Sequence, residues 1–445
     1  MSGAIGAARR ALRLFLATIG VLTLSLGSAQ AATPAGIDSG ATAWVLVASA
    51  LVLFMTLPGL ALFYGGLVRA RNLLSVLMHC FVISCVVSLL WVLFGYSLVF
   101  TSATNSGLNE VIGSLGGAFL TQVREHLLPN GIPEAAFALF QMTFAIITPA
   151  LIIGAFTERA RFSFVVLFSA AWLVLVYVPV AHWVWGGGWL AAAGTIDFAG
   201  GIVVHTTAGI SALVAAIMVG PRTGFPHHLA PPHSPGMTMA GAGMLWVGWF
   251  GFNGGSALAA DASAASAILA KHLAAAAAGL AWISIERLRL GKPTSVGIVT
   301  GCVAGLATIT PASGYVGPLG AVVMGAAGGT LCFFATGFIK SRLKIDDSLD
   351  VFAVHGVGGM LGSLLVALFA LPAFGGSGFG HALNGPQQLG AQALGVGAAV
   401  VWSVIGTVVI IALLRATVGL KLSVDEQREG LDLVIHGERA YDLAE

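Results

Sequence analysis

Eleven long apolar segments follow one another along this chain, and little charge interrupts them. They run approximately over 41–66, 73–100, 134–156, 162–182, 199–219, 238–260, 265–285, 295–311, 316–339, 351–371 and 389–418. A helix needs roughly 20 apolar residues to cross the hydrocarbon of a bilayer. All but the shorter 295–311 reach that length. Charged residues make up 9% of the 445, against about 25% in a water-soluble domain. The predicted fold is therefore an all-α membrane protein with eleven transmembrane helices. Its 60 glycines suit helices that pack closely. No basic tract suggests nucleic acid as a partner. The four cysteines, Cys80, Cys85, Cys302 and Cys332, lie in apolar segments without CxxC spacing, so neither a disulfide framework nor a zinc site is indicated.

The N-terminus reads as a targeting segment. Arg9, Arg10 and Arg13 precede LFLATIGVLTLSLGS and then Ala29-Gln30-Ala31, which together form a bacterial-type signal peptide over residues 1–31. The alternative is an uncleaved extra helix, for which the apolar run is short. Cleavage near Ala31 places the mature N-terminus outside. The basic residues agree with this topology. Of 17 Lys and Arg beyond the signal, 15 follow the odd-numbered spans, and only Arg124 and Lys271 fall on the other side. The positive-inside rule then puts the C-terminus in the cytoplasm. The domains expected are the signal peptide, an eleven-helix domain over 32–418 and a cytoplasmic tail over 419–445.

Two histidines stand out in this oily sequence. His205 in GGIVVHTTAGISALV and His355 in DVFAVHGVGGMLGSLL are titratable groups at membrane depth, where such groups usually line a pathway. Each follows an aspartate, Asp197 by eight residues and Asp350 by five. Spans one to five and six to ten form a five-plus-five inverted repeat followed by a final long helix. The two histidines then approach the middle from opposite faces, as in transporters built on inverted repeats. The alternatives are two helix-packing histidines, each bonded to a backbone carbonyl, or a metal site. No third ligand stands near them and no HExxH is present, so no metal is expected.

Asp197 opens a helix at DFAGG and suits the capping of free backbone amides, with a further attraction for an arriving cation. Asp346, Asp347 and Asp350 read as caps and a solvated charge run before span ten. Trp183, Trp185, Trp189, Trp246, Trp249, Phe250 and Phe252 cluster near the outer span ends, as an interfacial belt would. Trp185 lies in an extracellular loop beside three glycines, suited to a small cation through cation–π attraction, with Ser256 as a hydroxyl acceptor. Phe144 and Phe252 are placed to close a pore as a hydrophobic constriction.

Several longer motifs carry a family resemblance. FQMTFA, GAFTERARF, AHWVWGGGWLA, DFAGGIVVHTTAGI, GWFGFNGGSA, TPASGYVGP, DDSLDVFAVHGVGG and VGLKLSVDEQREGLDLVIHGERAY resemble the ammonium transporter family (Amt/Mep, related to Rhesus proteins) from about Pro58 to Tyr441. The resemblance implies a homotrimer of eleven-helix subunits in a bacterial inner membrane, each with its own pore and no cofactor or catalytic residue. Trp185, Phe144 and Ser256 match the outer ammonium-binding site, Phe144 and Phe252 the stacked gate, and His205 and His355 the twin histidines of the pore. Asp197 matches an aspartate needed for transport, and Thr310 a threonine near the pore. Ala353 departs from the family, which commonly has Gly before Val-His. Ammonium is expected to lose its proton at the gate and cross as ammonia. The rivals are a Rhesus-type gas channel, against which the Trp185 and Ser256 site argues, and an ammonium sensor. A tail of about 25 residues is too short for a signalling output domain. By itself it reads as a solvated amphipathic helix, and the resemblance adds docking of a PII-type signal protein.

Overall fold

The computed structural model describes residues 36–441 except 122, 125 and 229, so the signal peptide reading lies outside the described residues. Among them there is no strand, only the isolated bridges Leu127–Pro133 and Ala160–Lys421. Nine helices among the described residues are long and apolar enough to cross a membrane. These are α1 (Ser39–Leu67), α2 (Ala70–Phe100), α3 (Glu134–Ala155), α4 (Phe162–Ala192) and α5 (Gly201–Val219), then α7 (Ala262–Leu290), α9 (Pro318–Arg342), α10 (Phe352–Phe369) and α11 (Gly385–Thr417). Between them lie α6 (Pro235–Gly255) and α8 (Ser295–Ile309), where the sequence predicts spans six and eight. The 15 residues of α8 fall short of a full crossing, and α6 is diluted by seven glycines and Asn253.

The helix boundaries follow from ordinary capping chemistry. Asp261 starts α7 by accepting from the amides of Ser263 and Ala264, and Gly291 (φ 81°) ends it in the left-handed region, just after Arg287 and Arg289. Asn384 and Gln387 form a reciprocal capping box at the start of α11. Pro235 and Pro318 open α6 and α9, where a missing amide hydrogen costs nothing.

The histidine-bearing helices α5 and α10 cross at two glycines. A Cβ on Gly209 would collide with the backbone of Gly356, and one on Gly359 would meet Gly201 O and His205 Cβ. Small residues let these backbones touch, which brings the two rings together. Each histidine sits in a π-helical turn at the start of its helix, Gly201–Thr206 for His205 and Phe352–Gly356 for His355. Such turns carry one extra residue in the hydrogen-bonded ring and re-aim side chains, often at functional sites.

The segment after α11 is solvated along only part of its surface. It holds a short helix α12 (Val424–Glu429) and a π-helical turn Asp432–His436, with Gln427, Leu431 and Asp432 buried. Leu422 N–H donates to Arg159 O at 2.9 Å, and Arg161 N–H donates to Leu420 O at 3.0 Å. The Asp432 carboxylate accepts from the amides of Leu74 (3.0 Å) and Ser75 (2.8 Å), capping α2 from a distance of more than 350 residues in sequence. Polar anchors of this kind outweigh the solvation that the tail's charge suggests.

Candidate functional site

Asp197 organises the start of α5. Its Oδ1 accepts from the amides of Gly200 (2.8 Å) and Gly201 (2.6 Å), and its Oδ2 from those of Ile202 (2.8 Å) and Val203 (3.0 Å). One carboxylate thus satisfies all four orphan donors of the helix. Gly200, at φ 113°, is the residue whose left-handed backbone lets the chain curl around it. The backbone oxygen of Asp197 accepts the Trp185 indole N–H at 2.9 Å. Trp185 is the last residue of a regular helical stretch, Val178–Trp185, ahead of a break at residues 186–188. The sequence placed it in a loop, but the glycines that suggested one begin a residue later. An indole fixed by helix and hydrogen bond presents a set face.

That face meets an aromatic stack. Phe144 lies edge-on to Trp185, with ring centroids 5.9 Å apart, and against Phe252 at 4.3 Å. Both phenylalanines are fully buried. His205 follows, 6.0 Å from Phe252, and then His355, 5.2 Å from His205 and tilted by 26°. The two imidazoles meet through their Nδ1 atoms, 3.2 Å apart. His205 Nε2 is buried with no partner among the described residues.

Trp249, read from the sequence as part of an interfacial belt, is buried and stacks on His205 at 5.4 Å. Its indole N–H donates to Thr310 Oγ1 at 3.0 Å, while the Thr310 hydroxyl donates to Leu306 O at 2.7 Å. Thr310 therefore holds the wall of the histidine chamber rather than touching the histidines. Phe252 and Trp183 are also buried, so the belt reading fails for them as well.

Three cavities lie along this stack. The first, about 420 Å³, is lined by Phe144, Trp185, Asp197, Ser256 and Tyr315 among others. The Ser256 hydroxyl donates to Phe252 O at 2.8 Å, which leaves its lone pairs for another donor. The second is a narrow space of about 10 Å³ among Phe252, His205, Trp249, His355 and aliphatic side chains, at the limit for a single water-sized molecule. The third, about 220 Å³, is bounded by His355, Tyr64, Arg222, Lys340 and Asp350. Every predicted site residue lines one of the first two cavities except Thr310, which stands behind Trp249.

A polar cluster near the third cavity corrects the reading of a solvated charge run. Asp346, Asp347, Glu158 and Arg159 are all buried. Arg222 pairs with Asp346 (2.9 Å) and Glu158 (2.9 Å), and Arg69 with Glu158 (2.7 Å). Burial pushes the Glu158 carboxyl up, but Arg222 and Arg69 outweigh it and hold its pKa at about 2. Arg159 donates to Gly220 O, Ala155 O, Asp346 O and Ser348 Oγ, and burial lowers its pKa to about 10. Asp347, not Asp350, is the counterpart of Asp197: it stands eight residues before His355 and its Oδ2 accepts the Phe352 amide at 2.7 Å. Burial, with help from the charge of Asp350, raises its pKa to about 6. Asp350 instead pairs with Lys340 at 2.7 Å.

Comparison with known proteins accords with this geometry. The profile of the Ammonium Transporter Family matches residues 43–441. An ammonium transporter of Aquifex aeolicus is 45% identical over 437 residues, covering 96% of this chain and 99% of its own. Among solved structures, a sensor Amt protein superposes with a TM-score of 0.82 at 32% identity, over 89% of this chain and 98% of that one. Mep2 of Saccharomyces cerevisiae superposes with a TM-score of 0.79 at 35% identity, over 90% and 96%.

Proposed function

This chain belongs to the ammonium transporter family, and from that membership and the three cavities in line we propose that it carries ammonium across a membrane. In this reading eleven helices span, with the N-terminus outside and the C-terminus in the cytoplasm. The Trp185 cavity is then the outer mouth and the Arg222 cavity the inner one. Ammonium is held against the faces of Trp185 and Phe144 by cation–π attraction and donates a hydrogen bond to Ser256 Oγ. The Phe144–Phe252 pair closes the way to a bare cation, since no ring of carbonyls replaces its water. Ammonium, unlike potassium, can give up a proton there. Ammonia, about the size of water, then fits the narrow chamber beside His205 and His355.

The observation that carries this reading is that chamber: apolar walls, room for one small molecule, and two imidazoles touching at its floor. A proton that follows through the histidines makes net transport electrogenic. The test is current in proteoliposomes under an ammonium gradient, with potassium as control. Equal potassium current would sink the model, as would full conductance in a variant lacking both histidines.

The working unit in this reading is a homotrimer in a bacterial inner membrane, exported by a signal peptide over 1–31, with a transporter domain over 32–418. A second reading, ammonium sensing through a PII-type protein, draws on the likeness to a sensor Amt protein and on the tail anchored to the first turns of α2. Pull-down with a PII-type protein, with and without the residues after Leu420, discriminates: equal capture by both forms removes the tail from the contact.

A further inference from the structure

Among the α11 side chains that reach this pathway, Gln392 makes the most contacts. It is fully buried, and its amide pairs with both backbone groups of Ile196: Oε1 accepts the Ile196 N–H at 2.7 Å, and Nε2 donates to Ile196 O at 2.8 Å. The second Nε2 hydrogen goes to Ser363 O at 2.7 Å, and Oε1 also accepts from Gln388 Nε2 at 3.1 Å. A primary amide has two donor hydrogens and two acceptor lone pairs, and here all four are engaged. A side chain so constrained has one orientation, and it gives Ile196 one as well.

Ile196 precedes Asp197, and Asp197 sets two things at once. Its backbone oxygen holds the Trp185 indole, and its carboxylate caps the turn that carries His205. Ser363 lies on α10, the helix that carries His355. One glutamine thus joins the segment beneath the outer site to both histidine-bearing helices. The neighbouring contact, Thr195 Oγ1 to Ala391 O at 3.0 Å, ties the same segment to α11 without touching Ile196 or α10.

We propose that Gln392 is a positioning residue of the transport pathway, setting the Ile196–Asp197 peptide from which Trp185 and the His205 turn take their places. Its transport consequence rests on the ammonium reading above; its effect on the peptide does not.

The experiment uses the full-length protein in proteoliposomes with four forms: wild type, Gln392→Leu, Gln392→Asn and Thr195→Val. Gln392→Asn keeps the amide but is one methylene short of Ile196 and Ser363 together, and it serves if Gln392→Leu does not fold. Two quantities are measured: ammonium current against concentration, and hydrogen exchange of the peptide spanning 194–203. Both Gln392 variants should raise the half-saturating ammonium concentration about tenfold, as expected for losing an ordinary buried hydrogen bond, with maximal current changed less. Exchange at Ile196 and at Gly200, Gly201, Ile202 and Val203 should quicken in both, while Thr195→Val leaves both quantities near wild type. Unchanged exchange in the Gln392 variants overturns the proposal. So does a Thr195→Val variant that shifts half-saturation equally, since the role would then be general packing. Wild-type protein without ammonium current would refute the ammonium reading, while the exchange comparison would still decide the role of Gln392.

Discussion

Replacing Glu158 by Gln should destabilise the protein at neutral pH and lose that effect in acid. The Glu158 carboxylate is nearly buried and accepts from the Arg69 amide (3.0 Å), Arg69 Nε (2.7 Å), Asn72 Nδ2 (2.7 Å) and Arg222 Nη1 (2.9 Å). Its backbone is left-handed at φ 69°, which costs a non-glycine residue about 1–2 kcal/mol and is held by these contacts. A pKa drawn from 4.5 to about 2 corresponds to about 3 kcal/mol of stability from this group. For an acid with a depressed folded-state pKa, that stability is present above about pH 4.5 and lost as pH falls towards 2. A glutamine can keep the Oε1 contacts, but its NH₂ would face Arg222 donor to donor. The assay is the thermal unfolding midpoint of wild type and Glu158→Gln, in the same detergent, from pH 7 down to pH 3. The variant should melt lower at pH 7, and the gap should narrow steadily below about pH 4.5. A gap that is absent at pH 7, or that stays constant down to pH 3, refutes the assignment of Glu158 as a charged hub.

Other perturbations have equally direct readouts. Thr310→Val leaves the Trp249 indole N–H buried without its acceptor, costing about 1–3 kcal/mol; melting and ammonium current should both fall, and Thr310→Ser should restore both. Ser256→Ala removes the hydroxyl lone pairs of the outer cavity. Half-saturating ammonium should rise several-fold, about 1 kcal/mol, with little change in melting. Asp432→Ala strips the cap from the Leu74 and Ser75 amides, worth about 1–2 kcal/mol. Limited trypsin digestion should then cut the tail at Arg428 and Arg439 sooner, and unchanged cleavage would show that the other tail contacts suffice.

The membrane character and the pairing of His205 with His355 were legible because polarity inside an apolar run is a one-dimensional signal. Most of what failed needed distances. Asp350 seemed the partner of His355 because it is nearer in sequence, yet Asp347 repeats the eight-residue interval from Asp197 to His205, and that equality was readable. Trp249 went to the interfacial belt because composition cannot tell which face of α6 looks inward. Asp346 read as part of a solvated run because its partners, Arg159 and Arg222, come from distant parts of the chain. Gln392 gave no signal of its own: a glutamine in a long helix declares nothing until both backbone groups of Ile196 are found opposite it.

The Nδ1-to-Nδ1 contact of His205 and His355 also restricts how protons can be arranged on the pair. With both rings uncharged, one hydrogen occupies the 3.2 Å gap, so one ring is protonated at Nδ1 and the other at Nε2. Two mirror-image settings satisfy this condition. Passing one proton through the pair, taken up at one outer nitrogen and released at the other, converts the first setting into the second. The next proton cannot move in the same direction until the rings turn over or the internal protons step back. Were a proton to pass this way, it would leave the pair in the opposite setting, and a second could follow in the same direction only after that setting was reversed.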